Sequence, residues 1–225
     1  MKYSYLILML AMMFSVNIKA QNGPLFGSGK IANRTYDYKN FEKLNIKNFD
    51  GLIHVNIGTT WSINISIDDN LVDRLALDND SQNQTLNLSL VGNENGKLYL
   101  ENTQIKINIT MPKASYIYHS GNAAVIIKGL EGRSFAFEGK GNGKTSLIGS
   151  VDQLNITHSG NGDVDAKNCP ALTADVKKYG NGNIVVNSQL SLSAIGTGNG
   201  NVVQVGHGDI KPLSGIVGNG RVFKK

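Results

Sequence analysis

A single cysteine, Cys169, stands in the 225 residues of the chain. It can close no intrachain disulfide. Its place far from the N-terminus also excludes a lipid-modified cysteine at a leader cleavage point. Charge is sparse: 17% of residues are charged, and the net is +5. Lys2 and Lys19 fall within the first 20 residues, so removing that segment leaves +3. The other Lys and Arg residues are scattered, with no basic run to track phosphates, which argues against a nucleic-acid partner. Aromatics are also few, at 7%, and Tyr116, Tyr118 and Tyr179 form their best local group. No long amphipathic helix is visible, and no glycine opens a helix as a phosphate-binding loop requires. With 40% hydrophobic residues, the chain is nevertheless too apolar for a disordered tail.

The first 20 residues read as a signal peptide. Lys2 gives the positive start, Leu6 to Phe14 form an apolar core, and cleavage after Ala20 leaves Gln21 as the new terminus. The apolar stretch is short beside the ~20 residues of a membrane span, so no span is expected in the mature chain. Residues 21–37 then read as a flexible lead-in, rich in turn formers from Gln21 to Gly29. Residues 38–225 read as one domain.

From Phe41 onward apolar residues recur with period two. Examples are Leu44 and Ile46; Val55 and Ile57; Ile63, Ile65 and Ile67; Leu86, Leu88 and Leu90; Leu98 and Leu100; and Ile105, Ile107 and Ile109. Alternation of this kind puts one face of a strand in a core and the other in water. Turn-forming pairs separate the runs, among them Asp50-Gly51, Gly92-Asn93 and Asn95-Gly96. Leu71 to Leu77 has room for one or two helical turns.

The second half repeats. Gly-Asn recurs at Gly121-Asn122, Gly141-Asn142, Gly160-Asn161, Gly180-Asn181, Gly198-Asn199 and Gly218-Asn219, in steps of 20, 19, 20, 18 and 20 residues. Apolar residues hold matching places around each anchor: Val125 and Ile127, Val164 and Ala166, Ile184 and Val186 after it, and Phe135 and Phe137, Leu154 and Ile156 before the next. One such repeat cannot bury its apolar face alone, but stacked copies can. The reading is an all-β, parallel β-helix-like solenoid with ~20-residue coils, regular over residues 121–225 and turning at Gly-Asn-Gly corners. In register, the six Asn side chains would pass hydrogen bonds along a ladder. Pro212 and Ser214 break the pattern in the last repeat, which suits a cap, with Lys224 and Lys225 guarding its edge.

The six Gly-Asn anchors, preceded by the run Ile105 to Pro112 (IKINITMP), resemble a known family. It is the putative auto-transporter adhesin, head GIN domain family (DUF2807), common in Bacteroidetes. Phe41 to Ile46 (FEKLNI) and Trp61 to Ile67 (WSINISI) resemble its N-terminal part. The resemblance implies a right-handed, pectin-lyase-like β-helix without recognisable catalytic residues, and a role in cell adhesion. It supplies no functional residues to carry over. The chain ends at Lys225 with no membrane barrel after the repeats, so self-transport is not expected.

A search for chemistry finds little. His119 and His158 hold matching places two coils apart with Gly139 between them, about 9.6 Å. That is too far for one zinc ion, whose His ligands sit at about 2.0–2.1 Å. They read as corner residues. Asp163 and Asp165 flank Val164 and, with Asp175, make the one enzyme candidate face. The matching positions Lys144, Asn183, Asn201 and Arg221 do not continue it. Cys169 reads as a small buried residue. No catalytic residue, metal or cofactor is assigned. The expectation is a non-enzymatic, secreted or cell-envelope binding and adhesion module, periplasmic, outer-membrane-associated or extracellular, with glycan or protein ligands. The alternatives are a carbohydrate-active lyase or glycosidase and a structural envelope spacer. Converging carboxylates in a cleft would favour the enzyme, and clustered exposed aromatics would favour glycan binding.

Overall fold

The computed structural model of the chain describes residues 24–92 and 100–225. The expected leader, its cleavage point, the turn at Asn95-Gly96 and the strand position Leu98 lie outside those residues. The first half carries β1 (Leu25–Phe26), β2 (Ile31–Tyr36), β3 (Lys43–Phe49), β4 (Leu52–Ile57), β5 (Ser62–Asp68), β6 (Leu75–Asp80), β7 (Thr85–Leu90), β8 (Leu100–Glu101) and β9 (Lys106–Met111). The repeats carry β10 (Tyr116–Gly121), β11 (Ala124–Leu130), β12 (Ser134–Gly141), β13 (Thr145–Gly149), β14 (Val151–Gly160), β15 (Val164–Gly180) and β16 (Ile184–Thr197). The chain closes with β17 (Val202–Gln204), β18 (Asp209–Ile210), β19 (Gly215–Val217) and β20 (Val222–Lys224). Leu71 lies in a 3-10 helix over Asp69–Arg74, whereas Leu75 and Leu77 already belong to β6.

Apart from the β1–β8 pair, these strands form one large mixed sheet. A parallel array throughout residues 38–225 was expected, and the first half departs from it. There β2 and β9 flank β5 antiparallel, and β6 pairs antiparallel with β7. Connection length explains the last case. Four residues separate β6 from β7, and a link so short can join only antiparallel neighbours. Ile31–Tyr36, within the expected lead-in, pairs with β5 along its whole length.

From β10 onward every pairing between repeats is parallel and joins residues 17 to 20 apart. Pairing in register lines up equivalent residues in rows across the strands. One inward row runs Leu44, Ile117, Phe137, Ile156, Val176, Ala194. All six are buried, and the side chain shrinks at each step from Phe137 to Ala194. The facing strands contribute Ile53, Val125, Thr145, Val164 and Ile184 in the same manner. In the last repeat the strands shorten, and Gln204 replaces the aliphatic residue paired with Val186. It is fully buried and satisfied: Oε1 accepts from Ser188 N at 3.0 Å, and Nε2 donates to the carbonyls of Ser188 and Gly208.

The corners show why glycine recurs. Gly121, Gly141, Gly160 and Gly180 lie side by side on successive strands, and Gly198 and Gly218 continue against Gly180 and Gly198. At Gly180 φ is +117°, and a Cβ there would press on the carbonyl oxygen of Gly160. Only glycine meets both demands cheaply. Beside it the Asn amides form a one-way chain. Asn142 donates to Asn122 at 2.9 Å, Asn161 to Asn142 at 2.9 Å, Asn181 to Asn161 at 2.8 Å, Asn199 to Asn181 at 2.7 Å and Asn219 to Asn199 at 2.9 Å. These side chains are exposed, so water can replace a lost bond, and each is worth the low end of about 0.5–1.5 kcal/mol.

Three substitutions rank these terms by thermal or denaturant midpoint, which is safer than an extrapolated free energy in a repeat array. Gly180→Ala meets strain and backbone overlap and is expected to cost about 3 kcal/mol. Asn181→Ala loses two bonds and is expected to cost about 1 kcal/mol, and Asn219→Ala, with one, about half that. Equal midpoints for the two Asn variants would contradict the chain of amides.

Candidate functional site

The outward rows of the same strands are polar, and their register builds a groove. Lys43, Asn45 and Lys47 of β3 face Thr85, Asn87 and Ser89 of β7 on one side and Tyr116, Tyr118 and Ser120 of β10 on the other. Beyond β10 come Ala136, Glu138 and Lys140 of β12. Ala136 beside Tyr116, and Ser120 between the two lysines, are short where their neighbours are long. The result is an open groove of about 650 Å³ lined by Lys43, Asn45, Lys47, Tyr116, Tyr118 and Glu138, with Thr85 at its margin. A second hollow of about 280 Å³ shares Asn45 and Lys47 and reaches Asp78 on β6.

The groove is internally ordered. Tyr116 donates its hydroxyl to Glu138 Oε2 at 2.9 Å. Burial, and then that bond and the charge of Glu138, push the phenol up to about 12, so it stays a donor at neutral pH. Glu138 Oε1 faces the Lys140 ammonium at 3.7 Å. The Tyr118 ring has two cations over it, Lys47 at 5.9 Å and Lys140 at 5.7 Å from the centroid. Asn45 donates to Asn87 at 2.9 Å, and Asn87 donates to Asp78 at 3.3 Å, which fixes the floor. The sequence singled out Tyr116 and Tyr118. It did not place β3 and β7 beside them, because those partners lie far away in the chain. Tyr179 sits apart, on β15 next to Ser159 and Thr197.

The carboxylates expected on one face take different tasks. Asp163 Oδ1 accepts from the backbone N–H of Asn183 at 2.8 Å; Asn183 does the same for Asn201 at 2.9 Å, and Asn201 for Arg221 at 3.0 Å. These positions form a second row of bonds at the corners, one that sequence reading treated only as a failed acidic pattern. Asp165 pairs with Lys167 at 3.2 Å. Asp175 lies on the part of β15 that pairs with β14, whereas Asp165 lies on the part that pairs with β13. Among the described residues no three His, Cys, Asp or Glu side chains gather where a metal ion could be held. Cys169 is fully buried in the core, and burial pushes its thiol up to about 11. His54 is half-buried on β4 and His207 is exposed.

His119 and His158, the two expected corner residues, point into the core. Each is only 3% exposed. Their inward row reads Ile46, His119, Gly139, His158, Lys178, Gly196. Gly139 has no side chain to fill its place, and His158 Nδ1 lies 2.6 Å from where a Cβ would stand. The His158 ring thus leans over Gly139 toward His119. Burial first, and the neighbouring His158 second, lower His119 to about 4, and His158 is lowered mainly by burial. Lys178 is buried as well, and its ammonium donates to the Gly180 carbonyl at 2.6 Å.

Comparisons with known proteins agree with this architecture. The family model described as putative auto-transporter adhesin, head GIN domain, matches residues 40–208. Among solved structures, a putative adhesin of Bacteroides fragilis is similar at 24% identity and a TM-score of 0.68, over 89% of this chain and 100% of that one. A putative lipid binding protein of Parabacteroides distasonis matches at 18% identity and 0.52, over 90% and 99%. A putative adhesin of Parabacteroides merdae matches at 16% and 0.52, over 89% and 98%. At these identities the likeness is one of fold. No curated protein sequence matches the chain.

The histidine pair predicts a pH dependence of stability. The ordinary value of 6.5 applies to unfolded His119 and about 4 to the folded chain. Between those values the unfolded chain binds more protons, so stability is full above pH 6.5 and falls as pH drops toward 4. The loss from His119 is expected to reach about 3 kcal/mol. His119→Leu, matching Ile46 in the same row, should flatten the midpoint-against-pH curve in that window. An unchanged curve in the variant would contradict the assignment.

Proposed function

Because the chain belongs to the putative auto-transporter adhesin, head GIN domain family, we propose that it is a non-enzymatic binding module of the cell envelope or cell surface. On this reading residues 1–20 are the export signal, and the parallel repeats from β10 onward form a right-handed, β-helix-like solenoid held at its corners by the Gly-Asn ladder, with the mixed strands β2 to β7 and β9 continuing the same sheet. The parallel pairing of β10 to β20, in register apart from local shifts at the mid-repeat bends, supports the solenoid part of the reading. The adhesin-like relatives support a surface or exported location. Among the described residues no helix is long and apolar enough to cross a membrane.

The observation that carries the binding role is the groove at Tyr116 and Tyr118. It is concave, of a size that small ligands use, and combines aromatic faces with fixed polar groups. The carboxylates considered for hydrolysis are engaged elsewhere, Asp163 with the Asn183 backbone and Asp165 with Lys167. The flat polar rows on either side suit weak contacts repeated over many copies rather than one deep embrace.

The test is a panel of acidic and neutral polysaccharides and surface proteins, assayed for both retention and turnover by the chain starting at Gln21, with and without calcium. Retention without new reducing ends or unsaturated products is expected. Tyr116→Ala combined with Tyr118→Ala should abolish it while leaving the thermal midpoint within a few degrees, because both rings are on the outer face. Turnover that disappears in Asp163→Ala would overturn the proposal in favour of an enzyme.

A further inference from the structure

We infer that the groove takes an acidic saccharide, a sugar ring bearing carboxylate or sulfate that lies on Tyr118 between Lys47 and Lys140. The inference rests on the binding reading above and names its ligand class. The charge on the groove is the first argument. Glu138 is its lining carboxylate, and both oxygens are already engaged, Oε2 by the Tyr116 hydroxyl and Oε1 by Lys140. An arriving ligand therefore meets the ammonium groups of Lys43 and Lys47, neither in a salt bridge among the described residues although Asp80 acts on Lys43 from β6, with the shared ammonium of Lys140 beside them over Tyr118.

Spacing is the second argument. Lys47, Ser120 and Lys140 occupy one row on three neighbouring strands, so the two lysine backbones stand about 9.6 Å apart. The short Ser120 side chain between them lets both ammonium groups reach over the Tyr118 ring. That ring offers an apolar face bounded by cations on two sides. The apolar C–H face of a pyranose fits such a ring, its acidic substituent fits either ammonium, and its hydroxyls find Asn45, Thr85 and Ser120 around it.

Other anionic ligands fit less well. A nucleic-acid strand needs cations that continue along its backbone, but the next strand presents Asn155, Thr157 and Ser159 in these rows. A lipid needs a seat for its tail. Among the described residues the exposed large apolar side chains are Phe26, Ile31, Val91 and a group from Leu172 to Phe223, and none of them lines the groove.

Calorimetry or affinity electrophoresis with named probes decides the matter: oligogalacturonate for carboxylate, heparin-derived oligosaccharide for sulfate, cellohexaose as neutral sugar, oligo(dT), and phosphatidylglycerol vesicles. At least one acidic oligosaccharide should bind, more weakly as salt rises, and cellohexaose should not. Lys47→Gln and Lys140→Gln should each weaken binding about two- to five-fold, and Tyr118→Ala should weaken it further. Cellohexaose binding that needs Tyr118 but ignores both lysines would overturn the acidic ligand and leave the binding module standing. Tighter binding of oligo(dT) or vesicles through the same lysines would overturn the saccharide. Failure of every probe to bind would overturn the inference, while retention on a protein surface through Tyr116 and Tyr118 would still uphold the module.

Discussion

Everything in this structure depends on how closely one corner backbone lies on the next. Gly160 sits so near Gly141, and Gly180 so near Gly160, that a single Cβ between them would overlap a carbonyl oxygen. Closeness there sets the register of the strands on both sides of the corner. Register then decides which residues share a row, and rows decide both the core and the surface. Inward rows stack aliphatic on aromatic, as from Leu44 to Ala194. Outward rows stack polar groups, and where Lys43, Tyr116 and Ala136 meet, unequal lengths leave a groove.

The same constraint explains the interior's exceptions. A buried His, Lys or Gln is tolerated only where the row leaves space or partners for it. Gly139 makes room for the His158 ring, the Gly180 carbonyl takes the Lys178 ammonium, and Ser188 with Gly208 satisfies Gln204. Such positions are sensitive because a polar group without its partner in a dry interior costs more than the bond itself returns.

The sequence made the repeat legible because the interaction that sets it is local: Gly-Asn at a near-constant step, with apolar residues at fixed offsets. The first half was less legible. Its strands alternate just as clearly, but alternation shows which side of a strand is buried and not the direction of its neighbour, so the antiparallel pairs of β5 with β2 and β9 were invisible. The groove shows the same limit. Tyr116 and Tyr118 stood out as aromatics, but the lysines that give the site its charge come from β3 and from one repeat later on β12. His119 and His158 read from the sequence only as corner residues, and the row containing Gly139 adds that their rings turn inward. Asp163 belonged to the one face that could have suggested an enzyme, and its role in the row of backbone bonds to Asn183 depends on register that the sequence does not show.

The central claim is that equivalent corners of successive repeats lie directly against one another. Nuclear magnetic resonance of the isotopically labelled chain tests it most directly, through contacts between backbone protons of residues about one repeat apart. The account predicts cross-peaks linking Phe137 with Ile156 and Ile156 with Val176, and slow amide exchange at Asn161 and Asn181, whose N–H groups donate to Gly141 and Gly160 at 3.1 and 2.9 Å. Cross-peaks instead between the two strands flanking each Gly-Asn turn, with fast exchange at those Asn amides, would mean independent hairpins and contradict it.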